Sequence, residues 1–508
     1  MALQLDFSTL VLSGICLGVV ASPTVAGEWK ITPSISVNET ATDNVGLTGQ
    51  HRQNDLITDI SPGINIVGTG DRVKLRFDYK LHNLYYANES SRNNTQNSLT
   101  TQGTLEALEN WLFIDADAAI FQQSVSAFNS STNSSVDTNN TNNSTETMTY
   151  RLSPYFKGRA GDFAEYQLRY NLGSSRSKAA NSFDTDTREL SARLTGVTGQ
   201  SKLGWVIDAS TQKVEFGNGQ DNQADRLRGV LTYQVDPQFK VSLIGGREAN
   251  DYLSVDKESH SISGLGFDWA PTDRTQLSAS RERRFFGNSN SINFSHRTAG
   301  TVWKYKESKD ANASPNQQTA MGLGTYYDLF DSLLSSAIPD PATRAAYINA
   351  LLLSNGISPT AQLQGGFLTS GVTLQHRREL SFALQGVRNT VTFAATRSES
   401  ENLSQGAGTG LLTGTDFANF QNIRQRGISV NWSHKLTGLS TLTGSVSRLD
   451  SSGTGASDLE TREKMFTINF VTKLGPKTNA GLGARRIVFD GPTNYTENAL
   501  TGTVSHQF

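Results

Sequence analysis

Arg72-Val73-Lys74-Leu75-Arg76-Phe77-Asp78-Tyr79-Lys80-Leu81-His82 alternates without a break, with every odd position apolar or aromatic and every even position ionisable. A period of two puts successive side chains on opposite faces of an extended strand. One face of this segment therefore suits hydrocarbon and the other suits water. The pattern recurs along the chain. Ala164, Tyr166, Leu168, Tyr170 and Leu172 alternate with Glu165, Gln167, Arg169 and Asn171. Phe239, Val241 and Leu243 alternate with Lys240 and Ser242, and Ile428, Val430 and Trp432 with Ser429, Asn431 and Ser433. Phe466, Ile468 and Phe470 flank Thr467 and Asn469, while Leu203, Trp205, Ile207 and Ala209 keep the rhythm with Val206 as the one exception. The last residues do the same: Leu500, Gly502, Val504 and Phe508 share one phase, and Thr501, Thr503, Ser505 and Gln507 the other.

A soluble sheet built from such strands needs a second sheet or helices of similar extent to cover its apolar faces, and the sequence offers almost no helix. A β-solenoid needs a short fixed-period repeat, and none is present. A barrel closed in lipid satisfies every backbone group between strands and turns the apolar phase outward. The predicted fold is all-β: a single transmembrane antiparallel β-barrel of about 22 strands, in the range 20–22, with one short helical insert. No run of 18 apolar residues follows the first 26, which excludes helical spans.

Turn signals set the strand number. They fall at 68–71, 109–110, 158–162, 196–200, 236–237, 270–273, 298–300, 386–389, 437–438 and 475–476. Ten short periplasmic turns between strand pairs, with one strand free at each end of the chain, imply 22 strands and both termini in the periplasm.

The N-terminus reads as an export signal. Leu10 to Val20 is an apolar core, and the small residues Thr24 and Ala26 fit cleavage before Gly27. Met1 to Thr9 departs from that pattern in carrying Asp6 and no base. The only cysteine, Cys16, lies within this segment, so the mature chain is expected to have neither thiol nor disulfide. Removing residues 1–26 takes the 47 acidic residues to 46 against 45 basic ones, which leaves no nucleic-acid footprint. Residues 27–508 are expected to form one domain in the bacterial outer membrane.

Two segments interrupt the strands. Residues 124–147 form a Ser/Thr/Asn tract in which Val136 is the only apolar residue after Phe128, and composition predicts a flexible external loop. Residues 310–365 hold the one helical insert, with Tyr326 to Leu334 and then Ala342 to Leu353 near helical spacing. This pair is expected either to constrict the lumen or to cap the barrel rim.

The sequence carries no catalytic, cofactor or metal signature. Its seven histidines are scattered without ligand spacing, there is no Gly-x-Ser-x-Gly elbow, and each serine beside a histidine is expected on the opposite strand face. The candidate lumen-lining residues are Arg72, Lys74, Arg76 and Lys80 on one strand, Asp115 and Asp117 on another, and Glu165 and Arg169 on a third. Such charges would either set a transverse field in a pore or pair across strands to stabilise a polar wall.

Several stretches resemble the PEP-CTERM-system-associated outer-membrane β-barrel family of exosortase and exopolysaccharide loci. They are Ile31 to Val37 continuing to Val45, Asp55 to Asn83 with Ile60-Ser61-Pro62-Gly63-Ile64, Arg284 to Asn288, Ser295 to Thr298, and Ile338 to Pro341. The resemblance implies a non-enzymatic, porin-like channel or assembly component for exopolysaccharide export in a Gram-negative bacterium. It would meet outer-membrane lipid, the barrel-insertion machinery, polysaccharide and periplasmic export proteins. A scaffold barrel that docks or sheathes a partner protein is the alternative, and an outer-membrane hydrolase the third reading.

Overall fold

The structure, a computed structural model, describes residues 27–129, 136–139, 143–179, 183–196, 202–217, 221–313, 366–403, 416–455 and 458–508, together with 327, 330, 331, 344 and 348. The export signal expected at 1–26 lies outside the described residues. Twenty-two strands follow one another: β1 Gly27–Thr42, β2 Asp55–Gly70, β3 Val73–Tyr86, β4 Asn94–Leu108, β5 Leu112–Ser124, β6 Ser144–Ala160, β7 Ala164–Ser177, β8 Thr185–Gly196, β9 Leu203–Phe216, β10 Asn222–Asp236 and β11 Phe239–Asn250. The second half is β12 Glu258–Thr272, β13 Thr275–Arg284, β14 Gly287–Arg297, β15 Thr301–Asn312, β16 Thr373–Gln385, β17 Asn389–Asn402, β18 Phe420–Lys435, β19 Ser440–Gly455, β20 Leu459–Lys473, β21 Thr478–Asp490 and β22 Tyr495–Gln507.

Each strand pairs antiparallel with the next, and β1 pairs with β22 from Ser34↔Gln507 to Thr42↔Ala499, so the sheet closes on itself. The terminal Phe508 contributes to this seam, its backbone N–H donating to the Pro33 carbonyl at 2.9 Å. Prolines mark the weak points. Pro62 interrupts the β2–β3 ladder between Ile60↔Asn83 and Gly63↔Lys80, and Pro154 interrupts β6–β7 between Leu152↔Leu172 and Tyr155↔Arg169. Neither can donate a ladder hydrogen bond.

The ten turns fall within a few residues of the turn signals, and in the β4–β5 turn Asn110 sits at φ 59°, the left-handed region that asparagine tolerates. Length alone does not separate the two ends. Only Phe285 and Phe286 join β13 to β14 on the long-loop side, where Gly287 at φ 102° makes the tight reversal.

The outer face carries exposed Leu190, Leu227, Leu231, Leu243, Leu265, Ile428, Val430, Val446, Ile468, Leu482, Leu500 and Val504. All six tryptophans, Trp29, Trp111, Trp205, Trp269, Trp303 and Trp432, lie at the short-turn end. Amphipathic rings gathered at one level mark the membrane–water boundary. A closed barrel with an apolar outer band above such a girdle is an outer-membrane protein, and no described helix is long and apolar enough to cross a membrane.

The boundaries of the two interruptions differ from expectation. β15 runs through Asn312 and β16 starts at Thr373, so the insert begins three residues later than 310 and is followed by the described segment 366–372. Within it Tyr327, Phe330, Asp331, Arg344 and Ile348 are helical, and Arg344 Nε lies 2.7 Å from Asp331 Oδ1. Most of the predicted helix pair lies outside the described residues, as does the choice between a lumenal and a rim position. In the Ser/Thr/Asn tract, residues 144–147 belong to β6, and half of the described loop residues are buried, as the site geometry explains.

Leu243 and Leu265 face each other across β11 and β12 on the lipid side. Arginine at either position should cost about 2–4 kcal/mol if it lies near the bilayer midplane, whereas Lys74→Ser on the opposite phase of β3 should cost far less. Equal losses in unfolding experiments from lipid vesicles would reject the assignment of faces.

Candidate channel and its closed external mouth

The inward phase of the strands brings some of the predicted residues together and leaves others apart. Arg72 lies in the β2–β3 turn, exposed, with its Nη2 3.3 Å from Glu109 in the next turn. Lys74, Arg76 and Lys80 share one phase of β3 and have no ion-pair partner among the described residues. Asp115 accepts from Thr104 on β4 at 3.0 Å and from Arg169 on β7 at 2.9 Å, so the predicted third-strand arginine meets the second-strand acid. Asp117 instead takes Arg151 of β6 at 2.7 Å. Glu165, near the turn end, is paired with Arg159 at 3.1 Å, and both are exposed. Lys74 stands level with Asp115, but Thr104 lies between them in the register.

Deeper inward pairs join residues far apart in sequence. Arg228 on β10 reaches Glu282 on β13 at 2.7 Å, and Arg284 reaches both Glu248 at 2.6 Å and Asp310 at 3.3 Å. Glu497, fully buried, accepts from Arg485 at 2.7 Å, from Thr42 at 2.9 Å and from Asn139 at 3.2 Å. Burying a carboxylate is tolerable only when it is paired and hydrogen-bonded, as here.

Asn139 belongs to the Ser/Thr/Asn tract, whose described residues fold inward onto the barrel instead of extending away from it. Its Oδ1 accepts from Arg485 at 3.2 Å, its carbonyl accepts from Arg92 at 3.3 Å, and Gln96 and Asp137 exchange hydrogen bonds at 2.9 Å. Two of the tract's apolar residues, Phe128 near its start and Val136 at its middle, act as anchors. Val136 packs on Val45, Ile57, Leu84 and Tyr86 above β1–β3, whereas Phe128 joins Ala127, Phe367, Phe417, Phe420 and Ile423.

That second cluster closes the mouth. β5 and β16 stand eleven strands apart in a ring of 22, topologically opposite one another. Ser124, at the end of β5, nevertheless forms a parallel bridge with Phe367, and its carbonyl accepts from the Leu368 N–H at 3.1 Å. The rings of Phe128 and Phe420 lie 4.6 Å apart, and Asp416 Oδ2 accepts from the Ala127 N–H at 2.7 Å. A further apolar cluster spans Val214, Phe216, Tyr252, Val372, Leu374 and Leu403. Below it, the small residues Ser381, Ala383, Thr392 and Ala394 on the inward phase of β16 and β17 are at most 3% exposed. This wall is covered and does not face an open lumen.

One constellation has the composition of a catalytic triad. Ser61 Oγ and Asp59 Oδ2 lie 2.9 Å and 3.1 Å from the same nitrogen of His82, Nδ1, and Ser61 also donates to Asp59 at 2.5 Å. A relay needs the acid on one ring nitrogen and the nucleophile on the other, so this arrangement orients no general base. Thr275 with His296 and Thr478 with His506 repeat the hydroxyl–Nδ1 contact across neighbouring strands, as structural wall pairs do. No group of three or more potential metal ligands occurs among the described residues.

No family model and no curated protein matches this chain. Among solved structures it is similar to the FrpB iron transporter from Neisseria meningitidis, with 10% identity and a TM-score of 0.49, covering 94% of this chain and 81% of that one. It is also similar to the siderophore receptor PirA from Acinetobacter baumannii, with 9% identity and a TM-score of 0.48, over 94% and 80% of the two chains. The outer membrane protein opdK from Pseudomonas aeruginosa matches at 8% identity with a TM-score of 0.35, over 94% and 99%. These likenesses are of fold alone.

Burial raises the Asp416 carboxyl above the ordinary carboxylate range, against the opposing pull of the Ala127 N–H and the Ser126 hydroxyl. A raised folded-state value means that the closed contact is strongest at acid pH and loosens as pH rises through that value. Hydrogen exchange of the peptide bearing Ala127, compared at each pH with Asp416→Asn, should show wild-type protection falling relative to the variant as pH rises. A constant ratio would exclude Asp416 as the titrating group.

Proposed function

We propose that this chain is a porin-like outer-membrane conduit for a polar polymer, held shut at its external mouth. The polymer we propose is the exopolysaccharide of the export system that the sequence resembles. The observation that supports a conduit is the mouth itself. Its closure depends on apolar side chains and single hydrogen bonds between opposed loops, contacts of a size that a partner or polymer can displace without breaking the strand ladder. Away from the covered stretch of β16 and β17, the wall beneath suits a hydroxylated chain, since Ser, Thr, Asn and paired Arg–carboxylate groups exchange hydrogen bonds with sugar hydroxyls and present no field of single sign.

Phe128→Ala combined with Phe420→Ala removes the ring contact between the opposed loops while leaving every strand pair intact. In planar bilayers the double variant should conduct several-fold more than the wild type, and cells carrying it should become sensitive to large antibiotics. Unchanged conductance in a correctly inserted variant would reject the conduit and favour a scaffold barrel that docks a partner. Loss of extracellular polysaccharide on deleting the gene tests the substrate separately. Normal polysaccharide beside a conducting double variant would keep the channel and reject this cargo.

A further inference from the structure

The outward face of β15 to β21 carries a circumferential row of charge just above the apolar band. Cross-strand register places Glu307, Arg378, Arg397, Arg426, Asp450, Arg462 and Asp490 side by side on seven consecutive strands. Three arginines are therefore adjacent, at a strand spacing of about 4.8 Å. Like charges directly opposite one another destabilise a sheet unless an anion lies against them.

Three acids of the patch, Glu307, Glu399 and Asp450, are already engaged, whereas Asp490, at the end of the row beside Arg462, has no ion pair among the described residues. Glu307 accepts from Arg378 at 3.2 Å, Glu399 is shared by Arg397 and Arg424, and Asp450 is shared by Arg448 at 2.9 Å and Arg462 at 2.8 Å. Arg426, exposed between these two shared carboxylates, and Lys464, opposite Arg448, have no partner among the described residues. Glu401 and Glu460 lie farther out along the strands, level with Asn422 and Ser452.

Height fixes what these cations meet. Ile428 follows Arg426 on the same outward phase of β18, and a two-residue step along a strand is about 7 Å. Ile428, Val430, Val446, Phe466 and Ile468 below the row are exposed apolar residues of the lipid band. The guanidinium groups therefore stand where the headgroups of the outer leaflet begin. On the neighbouring β1–β4 the outward positions near the same end are Glu39, Thr58, Asn83 and Thr95, with no base among them, and on the opposite wall Arg176, Arg188 and Lys213 are each held by an acid, Asp186 or Glu215.

We infer that the outer face of β16–β20 is a docking site for the phosphate-bearing headgroup of an outer-leaflet glycolipid, with the unpartnered Arg426 and Lys464 as its phosphate ligands and Arg397 and Arg448, which also hold Glu399 and Asp450, flanking them. Planar guanidinium forks bind phosphate bidentately, and Lys464 adds a point charge from the side. The patch lies outside the barrel and needs no open channel.

The test uses full-length barrel refolded into vesicles containing diphosphorylated lipid A, exchanged into detergent, and assayed by mass spectrometry for retained lipid. Wild type should retain about tenfold more diphosphorylated lipid A than the Arg397→Gln/Arg426→Gln/Lys464→Gln variant, a loss of about 1.4 kcal/mol in affinity. Retention of dephosphorylated lipid A should be low in both. Inorganic phosphate at millimolar concentration should not displace the lipid, because the acyl chains seated on the apolar band hold it. Equal retention by wild type and a variant that stays heat-modifiable on gels would overturn the site, as would equal retention of the dephosphorylated lipid. Displacement by inorganic phosphate would overturn the lipid source.

Discussion

The β1–β22 seam is the constraint on which everything else depends. In hydrocarbon an unpaired backbone N–H or C=O costs several kcal/mol, so a sheet of this width survives in a membrane only if its first and last strands meet. The nine register pairs from Ser34↔Gln507 to Thr42↔Ala499, with the Phe508 N–H on Pro33 beyond them, remove the edge. Closure also gives the two phases of each strand different solvents. That is why Phe77 and Leu243 can face lipid while Asp115 and Glu497 are held by arginines within.

Closure also brings opposite strands around a common axis, and the external loops exploit this. A ring of 22 strands is too wide for its wall side chains to fill. Here the tract after β5 and the segment before β16 meet over the mouth, and Asn139 ties the same tract to the Arg485–Glu497 pair beside the seam. The mouth contacts are few and non-covalent, whereas the wall is a continuous ladder. The two should therefore respond very differently to load: the loops can yield while the barrel persists.

The strands and turns were legible because they depend on short-range pattern. The odd–even rhythm of 72–82 and the ten turn signals specify faces and hairpins without knowledge of distant contacts. The pairs that line the interior were not legible. Arg228 meets Glu282 and Arg485 meets Glu497 only once register and curvature are set, and nothing in local spacing marks them. Composition did not mark which residues of 124–147 pack on the barrel. A tract of Ser, Thr and Asn has too little apolar surface to pack by itself, but Phe128 and Val136 need only reach clusters supplied by other strands, and its amides find buried partners there. The arginine row on the outer face was hidden for the same reason, since Arg378, Arg397 and Arg426 lie far apart in sequence and are level only through strand register.

The most direct test of the closed barrel with a bridged mouth is a distance across it. Asn129 and Asn419 are exposed and sit beside the Phe128–Phe420 contact on nearly opposite sides of the ring. Spin labels on cysteines at these two positions, in a mature chain expected to lack other thiols, should give a pulsed electron–electron distance below about 25 Å in lipid nanodiscs. Strands spaced about 4.8 Å apart and tilted in a ring of this size put an unbridged mouth about 40 Å across. A distribution centred near that larger value would contradict the account.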